Sequence, residues 1–398
     1  MNDLNRKRIL SAVSAEDFIG RTRELDALLA HAKGERRTGG LLILSAPTLG
    51  ASELLRQTYD KIFAENGETI PLYFALKKSD KTAKQASIRF LQTFLQQTIA
   101  FRRQDAKIFD TSHEICELAE IAPPSDGYWI DRIVETCLRV SRLNDERGFI
   151  RQALSAPLRA AANNANFFVM IDNLHEAEDF TGELNFIEEL GEIYARSSVK
   201  FVFAGHRRFI FDKFHGNYES LELQPLSFTE AGLLAENLAE NSAVKINEQT
   251  RDLIAVKFGG NPLFIRLILQ AASKKGKDLS SFQRVEQFYA DEIFGGRIAK
   301  FYDAIFDEIS PNIETQKNFS GLLFDALTIE KEKSAIESWQ RRSGLSAEDF
   351  YRAMRFLNDN EIIRVSSNLV FDLLARDHVQ VREVVVVVLL ERGVVVAL

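Results

Sequence analysis

A chain of 398 residues has length for two or three domains and a buried core. Hydrophobic residues make up 45% and charged residues 27%, which excludes a disordered chain and suits a globular one. Fifty Lys and Arg against 57 Asp and Glu leave a net charge of −7, which argues against a nucleic-acid footprint spread over the whole surface but leaves room for one local basic patch.

In chain order, two periodicities alternate. The apolar run 41–44 predicts a strand, 45–50 a turn, and 53–63 a helix. A second strand is expected over 70–76 and an amphipathic helix over about 81–101. Fully apolar runs at 167–171 and 201–204, and a weaker one at 221–223, add three strands. Uninterrupted apolar strands separated by helices indicate a parallel sheet covered on both faces, so residues 1–226 read as one α/β domain of about five strands. After Leu226 the strands stop. Ser227 with Glu230 three residues on marks a helix start, and helices are expected at about 228–240, 247–258, 262–274 and 279–309, making a small helical domain over 227–310. Ser310-Pro311 forms a boundary. Residues 311–383 then read as helix, helix, turn, helix and strand pair, the order of a winged helix-turn-helix. The valine-rich tail 384–398 is too short and interrupted to cross a bilayer, and reads either as a covered strand or as an exposed pairing surface.

The two cysteines, Cys116 and Cys137, cannot make a disulfide framework, and a reduced, cytoplasmic protein is expected. Residues 1–8 run into polar chain without a signal-peptide core, and no span reaches 18 apolar residues, so no contact with a membrane is expected. Thirty phenylalanines against two tryptophans point to Phe-rich packing.

The chemistry gathers where strands end. After the first strand comes Ser45-Ala46-Pro47-Thr48-Leu49-Gly50-Ala51-Ser52-Glu53. Set against the phosphate-binding pattern G-x-x-x-x-G-K-[S/T], Ser45 replaces the first glycine, Gly50 keeps the second, Ala51 replaces the lysine and Ser52 keeps the metal-binding hydroxyl. Backbone N–H groups at the following helix start can still face an anion, since they need no side chain. The ammonium that would reach the β- and γ-phosphates is missing, which costs about 1.5–3 kcal/mol of binding and roughly 10²–10³ in rate unless another cation compensates. The other reading is a structural turn that meets no phosphate. Asp172 ends the third strand, where open α/β sheets bind ligands, and could hold magnesium through water or cap a helix. Asn173 follows where a water-activating glutamate would be needed, and an amide cannot take a proton; Glu176 is the nearest substitute. Gly205-His206-Arg207-Arg208 ends the fourth strand, and Arg207, like Lys77 and Lys78 after the second strand, is a candidate to stand in for the missing lysine or to be a solvated or carboxylate-paired charge.

With these residues in place, the chain resembles the archaeal-type ATPase branch of the STAND NTPases, relatives of AAA+ and Orc/Cdc6-like proteins, over about residues 18–383. Phe18-Ile19-Gly20-Arg21-Thr22-Arg23-Glu24-Leu25 resembles the segment F-[VI]-G-R-x-x-E-L, which implies that Gly20 and Arg21 lie near the nucleotide base. Phe203-Ala204-Gly205-His206 resembles the sensor 1 region, and Leu223-Gln224-Pro225-Leu226-Ser227 the L-x-P-L stretch leading into the lid. Gly259-Gly260-Asn261-Pro262-Leu263 resembles G-x-P, which implies that Pro262 packs near adenine. The resemblance implies a P-loop NTPase sheet, a helical lid and a C-terminal winged helix. It also implies ATP or ADP bound at Ser45, Pro47, Thr48, Gly50, Ala51, Ser52 and Glu53, with Mg2+ at Ser52 and Asp172. The departures, Ser45, Ala51 and Asn173, fall on the residues that do the chemistry.

Three functions compete. The first is a regulatory or scaffolding switch with a degenerate phosphate loop, in which nucleotide or a protein partner clamps the α/β domain against the lid. The second is an active ATPase with a substitute cation. The third is a winged-helix DNA-binding regulator, and it is disfavoured: residues 312–383 carry 10 Lys and Arg against 12 Asp and Glu. A domain that packs on the lid or docks a protein partner suits that segment better, and a protein partner or self-association is expected of the chain.

Overall fold

The computed structural model describes residues 8–36, 38–195, 197–328, 336–362, 364–365 and 371–372. The chain divides into two compact units, one of Met1–Ser45 with Gly50–Leu223 and one of Ala46–Leu49 with Gln224–Leu398.

The first unit is built on a five-stranded sheet. Its strands are β1 (Gly40–Ser45), β2 (Thr69–Ala75), β3 (Asn166–Asp172), β4 (Lys200–His206) and β5 (Glu219–Leu223), in the order β2-β3-β4-β1-β5 with every pairing parallel. All six residues of β1 are buried, which is why its sequence is apolar without alternation. Helix α1 (Thr22–Ala32) precedes β1, α2 (Ala51–Glu65) follows it, and α3 (Ala83–Arg103) follows β2. Three phenylalanines of α3, Phe90, Phe94 and Phe101, are fully buried, and Phe94 packs tilted on Phe167 of β3 with centroids 5.2 Å apart. The abundance of phenylalanine is thus spent on helix-to-sheet packing.

Between α3 and β3 the chain adds four helices, α4 (Ile115–Glu120), α5 (Pro124–Arg142), α6 (Glu146–Leu154) and α7 (Ala156–Ala161), which the strand-and-helix alternation had not separated. They carry Cys116, exposed, and Cys137, buried. Helix α8 (Phe186–Tyr194) and helix α9 (Arg207–Phe214) flank β4. Ahead of α1, the segment after Arg8 lies along α2. Asp60 accepts the backbone N–H groups of Ile9, Leu10 and Ser11 at 2.8–3.2 Å, and Glu53 accepts those of Ala12 and Val13 at 3.1 Å.

In the second unit, α10 (Phe228–Asn241) begins with a reciprocal cap, Ser227 Oγ accepting from Glu230 N and the Glu230 carboxylate from Ser227 N. Then come α11 (Glu248–Lys257) and α12 (Pro262–Lys274). The expected single helix over 279–309 is two, α13 (Phe282–Ile293) and α14 (Arg297–Ile309). Gly295, with φ near 157°, and Gly296 break it, and a Cβ on Gly296 would fall 2.2 Å from the Glu292 carboxylate. That buried carboxylate folds over the break, accepts the N–H of Arg297 at 2.8 Å and pairs with Lys275 at 2.6 Å, so the first helix supplies the cap of the second. Gly260 accepts a hydrogen bond from Leu226 N at 3.0 Å, and with φ at 70° a Cβ there would sit 2.1 Å from the Leu226 carbonyl, so only glycine fits.

Helices α15 (Ile313–Thr328), α16 (Ile336–Ser343) and α17 (Ala347–Asp359) follow, then β6 (Arg364–Val365) antiparallel to β7 (Phe371–Asp372). The turn expected at 366–368 and the tail 384–398 lie outside the described residues. Among the described residues no helix is long and apolar enough to cross a membrane.

Candidate functional site

The carboxyl ends of β1, β3 and β4 define the site. Because β4 lies between β1 and β3, its end is the neighbour of both: Ser45 of β1 is level with His206 of β4. Ser45 is buried, and beyond the turn Gly50 takes φ of 91°, a conformation that favours glycine. Helix α2 starts at Ala51 with no side-chain cap hydrogen bond, so no side chain occupies its first N–H groups, and Glu53 is the acidic residue of its first turn. Ala51 brings no charge. Ser52 places its hydroxyl in the first turn. The Glu53 carboxylate is turned to Ala12, Val13 and Gln57, where it holds the N-terminal segment.

The turn residues 46–49 group with the second unit. There Thr48 has φ of 75°, unfavourable for a β-branched residue, and its Oγ1 accepts a hydrogen bond from Asn261 Nδ2 at 2.6 Å. Asn261 also accepts from the N–H groups of Leu263 and Phe264, capping α12, whose first residue is Pro262. The L-x-P-L and G-x-P stretches therefore meet at Leu226 and Gly260.

Asp172 closes β3 and is 1% exposed. Its Oδ2 accepts the Tyr73 hydroxyl at 2.9 Å, and its Oδ1 the N–H of Asn173 at 2.8 Å. Asn173 adopts φ of 57° and donates from Nδ2 to the Leu76 carbonyl, so its amide serves the turn. Burial first, and then the Asp172 charge, push the Tyr73 phenol far above its ordinary pKa, which keeps it a donor. From α2, the Arg56 guanidinium faces the same ring, 5.7 Å from its centroid. Sequence reasoning named Asp172 but neither Tyr73 nor Arg56, because nothing in a local pattern marks side chains brought together from three elements.

His175, in the turn after β3, stacks on His206 at the end of β4, and the backbone N–H of His206 donates to His175 Nδ1 at 3.3 Å. Burial lowers the pKa of His175 to about 2, with the charges of His206 and Lys78 adding to it. Burial also lowers that of His206 to about 4, again helped by Lys78. Gly205 permits the approach: a Cβ there would come within 3.2 Å of Leu174 N and 3.3 Å of His175 N. Glu176 lies 3.6 Å from His175 Nε2, so this candidate base faces an imidazole. Lys77 uses its backbone N–H on Asp80.

Arg207 opens α9 just past β4, yet its Nη1 meets Glu222 of β5 at 2.8 Å. The pair thus links the end of β4 to β5, the strands on either side of β1, and Glu222 is the register partner of Leu44 in β1. Gly20 and Arg21 both take positive φ ahead of α1, and the buried Arg21 side chain pairs with Glu24 at 3.0 Å.

A parallel sheet in this order, with a turn and a helix start after β1 and an aspartate at the tip of β3, the strand beyond its neighbour β4, is the arrangement of a P-loop NTPase. No family model matches the chain, and no curated protein matches it. Among solved structures it is similar to the Walker-type ATPase of Pyrococcus abyssi, with 12% identity, a TM-score of 0.56, and coverage of 97% of this chain and 99% of that one. It also aligns with the ORC2 protein of Aeropyrum pernix, seen in ADPNP–ADP complexes (12% identity, 94% of each chain, TM-score 0.49). A third match is the RuvB Holliday junction branch migration motor of Thermotoga maritima (12% identity, 95% of this chain and 98% of that one, TM-score 0.47). The likeness to the Pyrococcus protein is one of fold: this chain has the P-loop NTPase fold.

Proposed function

We propose that the protein is a nucleotide-binding switch of the STAND kind, with a degenerate phosphate loop and slow or no hydrolysis. The observation that carries the reading is the start of α2: an uncapped helix N-terminus behind a positive-φ glycine, with alanine where the ammonium would stand. Backbone N–H groups and the helix dipole suit the phosphates of ATP or ADP without a side-chain cation. The Ser52 hydroxyl and the Asp172 carboxylate are oxygen donors of the type that suits Mg2+. A bound magnesium ion would supply charge neutralisation at the phosphates, and Asp172 would reach it through water. No glutamate follows Asp172, so water activation is weak, and Glu176 is a poor replacement while it faces His175.

Nucleotide or a protein partner would act by binding one conformation more tightly than another, which is all a switch requires. A protein partner or a second copy of the chain fits the acidic balance of residues 312–383 better than DNA does. The lid and winged-helix assignments of the second unit belong to this proposal.

Titration calorimetry with Mg-ATP and Mg-ADP tests it. Wild type should bind weakly and turn over little, and Ala51→Lys should bind at least about ten-fold more tightly, as one restored charge-assisted hydrogen bond requires. Brisk hydrolysis by wild type, or no gain in Ala51→Lys, would reject the degenerate-loop reading. The second reading, an active ATPase with a substitute cation, would place the charge on Arg207, which pairs with Glu222 at 2.8 Å across the two strands flanking β1, or on Lys77 or Lys78. It requires Arg207→Ala, Lys77→Ala or Lys78→Ala to abolish turnover, and it fails if all three leave hydrolysis unchanged.

A further inference from the structure

Tyr73 lies two residues before Ala75, the register partner of Asp172, so Tyr73 and Asp172 share one face of the sheet at diagonal positions. The hydroxyl reaches Oδ2 at 2.9 Å, and the residue after Asp172 donates to Oδ1 at 2.8 Å. Both oxygens thus accept from protein donors, and the carboxylate is 1% exposed. A carboxylate oxygen that serves a divalent cation must first give up competing donors and gain a path to the ion.

We propose that the Tyr73 hydroxyl is a latch on Asp172, holding Oδ2 as a hydrogen-bond acceptor so that a divalent cation gains that oxygen only when the latch opens. Tyr73 is a positioning residue in this scheme: it touches neither nucleotide nor metal and acts through the aspartate. Arg56, on the helix that starts at the phosphate loop, faces the Tyr73 ring and couples the latch to that helix. The proposal rests on the reading that the site takes nucleotide with a divalent cation, but the contact can be tested without nucleotide.

The experiment titrates the full chain with Mn2+ alone, reading free ion by electron paramagnetic resonance, in wild type, Tyr73→Phe and Tyr73→Phe/Asp172→Asn. Phenylalanine keeps the ring and removes only the hydroxyl. Tyr73→Phe should bind Mn2+ about ten-fold more tightly than wild type, the value of one hydrogen bond to a charged group, and the double variant should lose the gain. Equal affinity of wild type and Tyr73→Phe overturns the latch. Should Tyr73→Phe fold poorly, replacing Tyr73 by 3-fluorotyrosine, a stronger donor of similar shape, should weaken Mn2+ binding instead, and no weakening overturns the latch equally. ADP titrated without metal reads the phosphate cradle separately. A Mn2+ gain with no ADP binding removes the nucleotide reading and keeps the latch, whereas ADP binding with no Mn2+ gain does the reverse.

Discussion

His175 and His206 lie face to face, ring centroids 3.5 Å apart and planes 13° from parallel, one in the turn after β3 and the other at the end of the adjacent strand β4. Both are held neutral by burial, with Lys78 opposing protonation of each and Glu176 near His175 Nε2. Folded pKa values of about 2 and about 4, against an ordinary 6.5, mean that the unfolded chain binds more protons as pH falls below 6.5. Stability is therefore full above about pH 6.5 and is lost on acidification, by up to about 1.4 kcal/mol per pH unit for each histidine between its folded and unfolded values. Urea midpoints at pH 7.5 and 5.0 should differ in wild type and differ less in His206→Asn. An unchanged slope in that variant would show that other groups dominate.

Gln97 closes the outer edge of the sheet. β2 is an edge strand, and the buried Gln97 amide both accepts from Tyr73 N and donates to Tyr73 O at 2.8 Å, as a neighbouring strand would. Gln97→Leu leaves two buried backbone groups without partners and should cost about 2–4 kcal/mol by chemical denaturation. Because Tyr73 holds Asp172, the same variant should also alter Mn2+ affinity. A loss under about 0.5 kcal/mol would mean that other groups pair the edge.

The N-terminal segment is held by carboxylates on one helix. Asp60 takes three successive backbone N–H groups and the Ser11 hydroxyl, while Glu53 takes the next two N–H groups. Asp60→Ala should release residues 9–11 while leaving the sheet folded, so trypsin cleavage after Arg8 should quicken about ten-fold with little change in the global urea midpoint. Unchanged cleavage would show that Glu53, with Gln57 donating to the Val13 carbonyl at 2.8 Å, suffices.

Much of the sheet was legible because its strands are buried on both faces, which forces unbroken apolar runs such as Phe167-Phe168-Val169-Met170-Ile171. The cap at Ser227 and Glu230 was legible for a related reason, since both partners sit within one turn of chain. The helix over 279–309 was misread because the Gly295-Gly296 break is sealed by Glu292 and Lys275, a pair 17 residues apart. The positions of the candidate site residues could be read from spacing, but not their partners. Glu53 is occupied by the N-terminal segment, Arg207 reaches Glu222, and Asp172 meets a tyrosine 99 residues away.

What the amino-acid order determined by itself is the alternation of strand and helix, the loop with alanine in place of lysine, and the aspartate at a strand end. These follow from local rules: apolar periodicity, capping and turn chemistry act over a few residues. Only the tertiary structure decided that β4 lies between β1 and β3, that Arg207 pairs with Glu222 of β5, and that Tyr73 occupies Asp172. Strand order and side-chain pairing are set by competition among distant segments for the same buried space, and no local pattern records which of them wins.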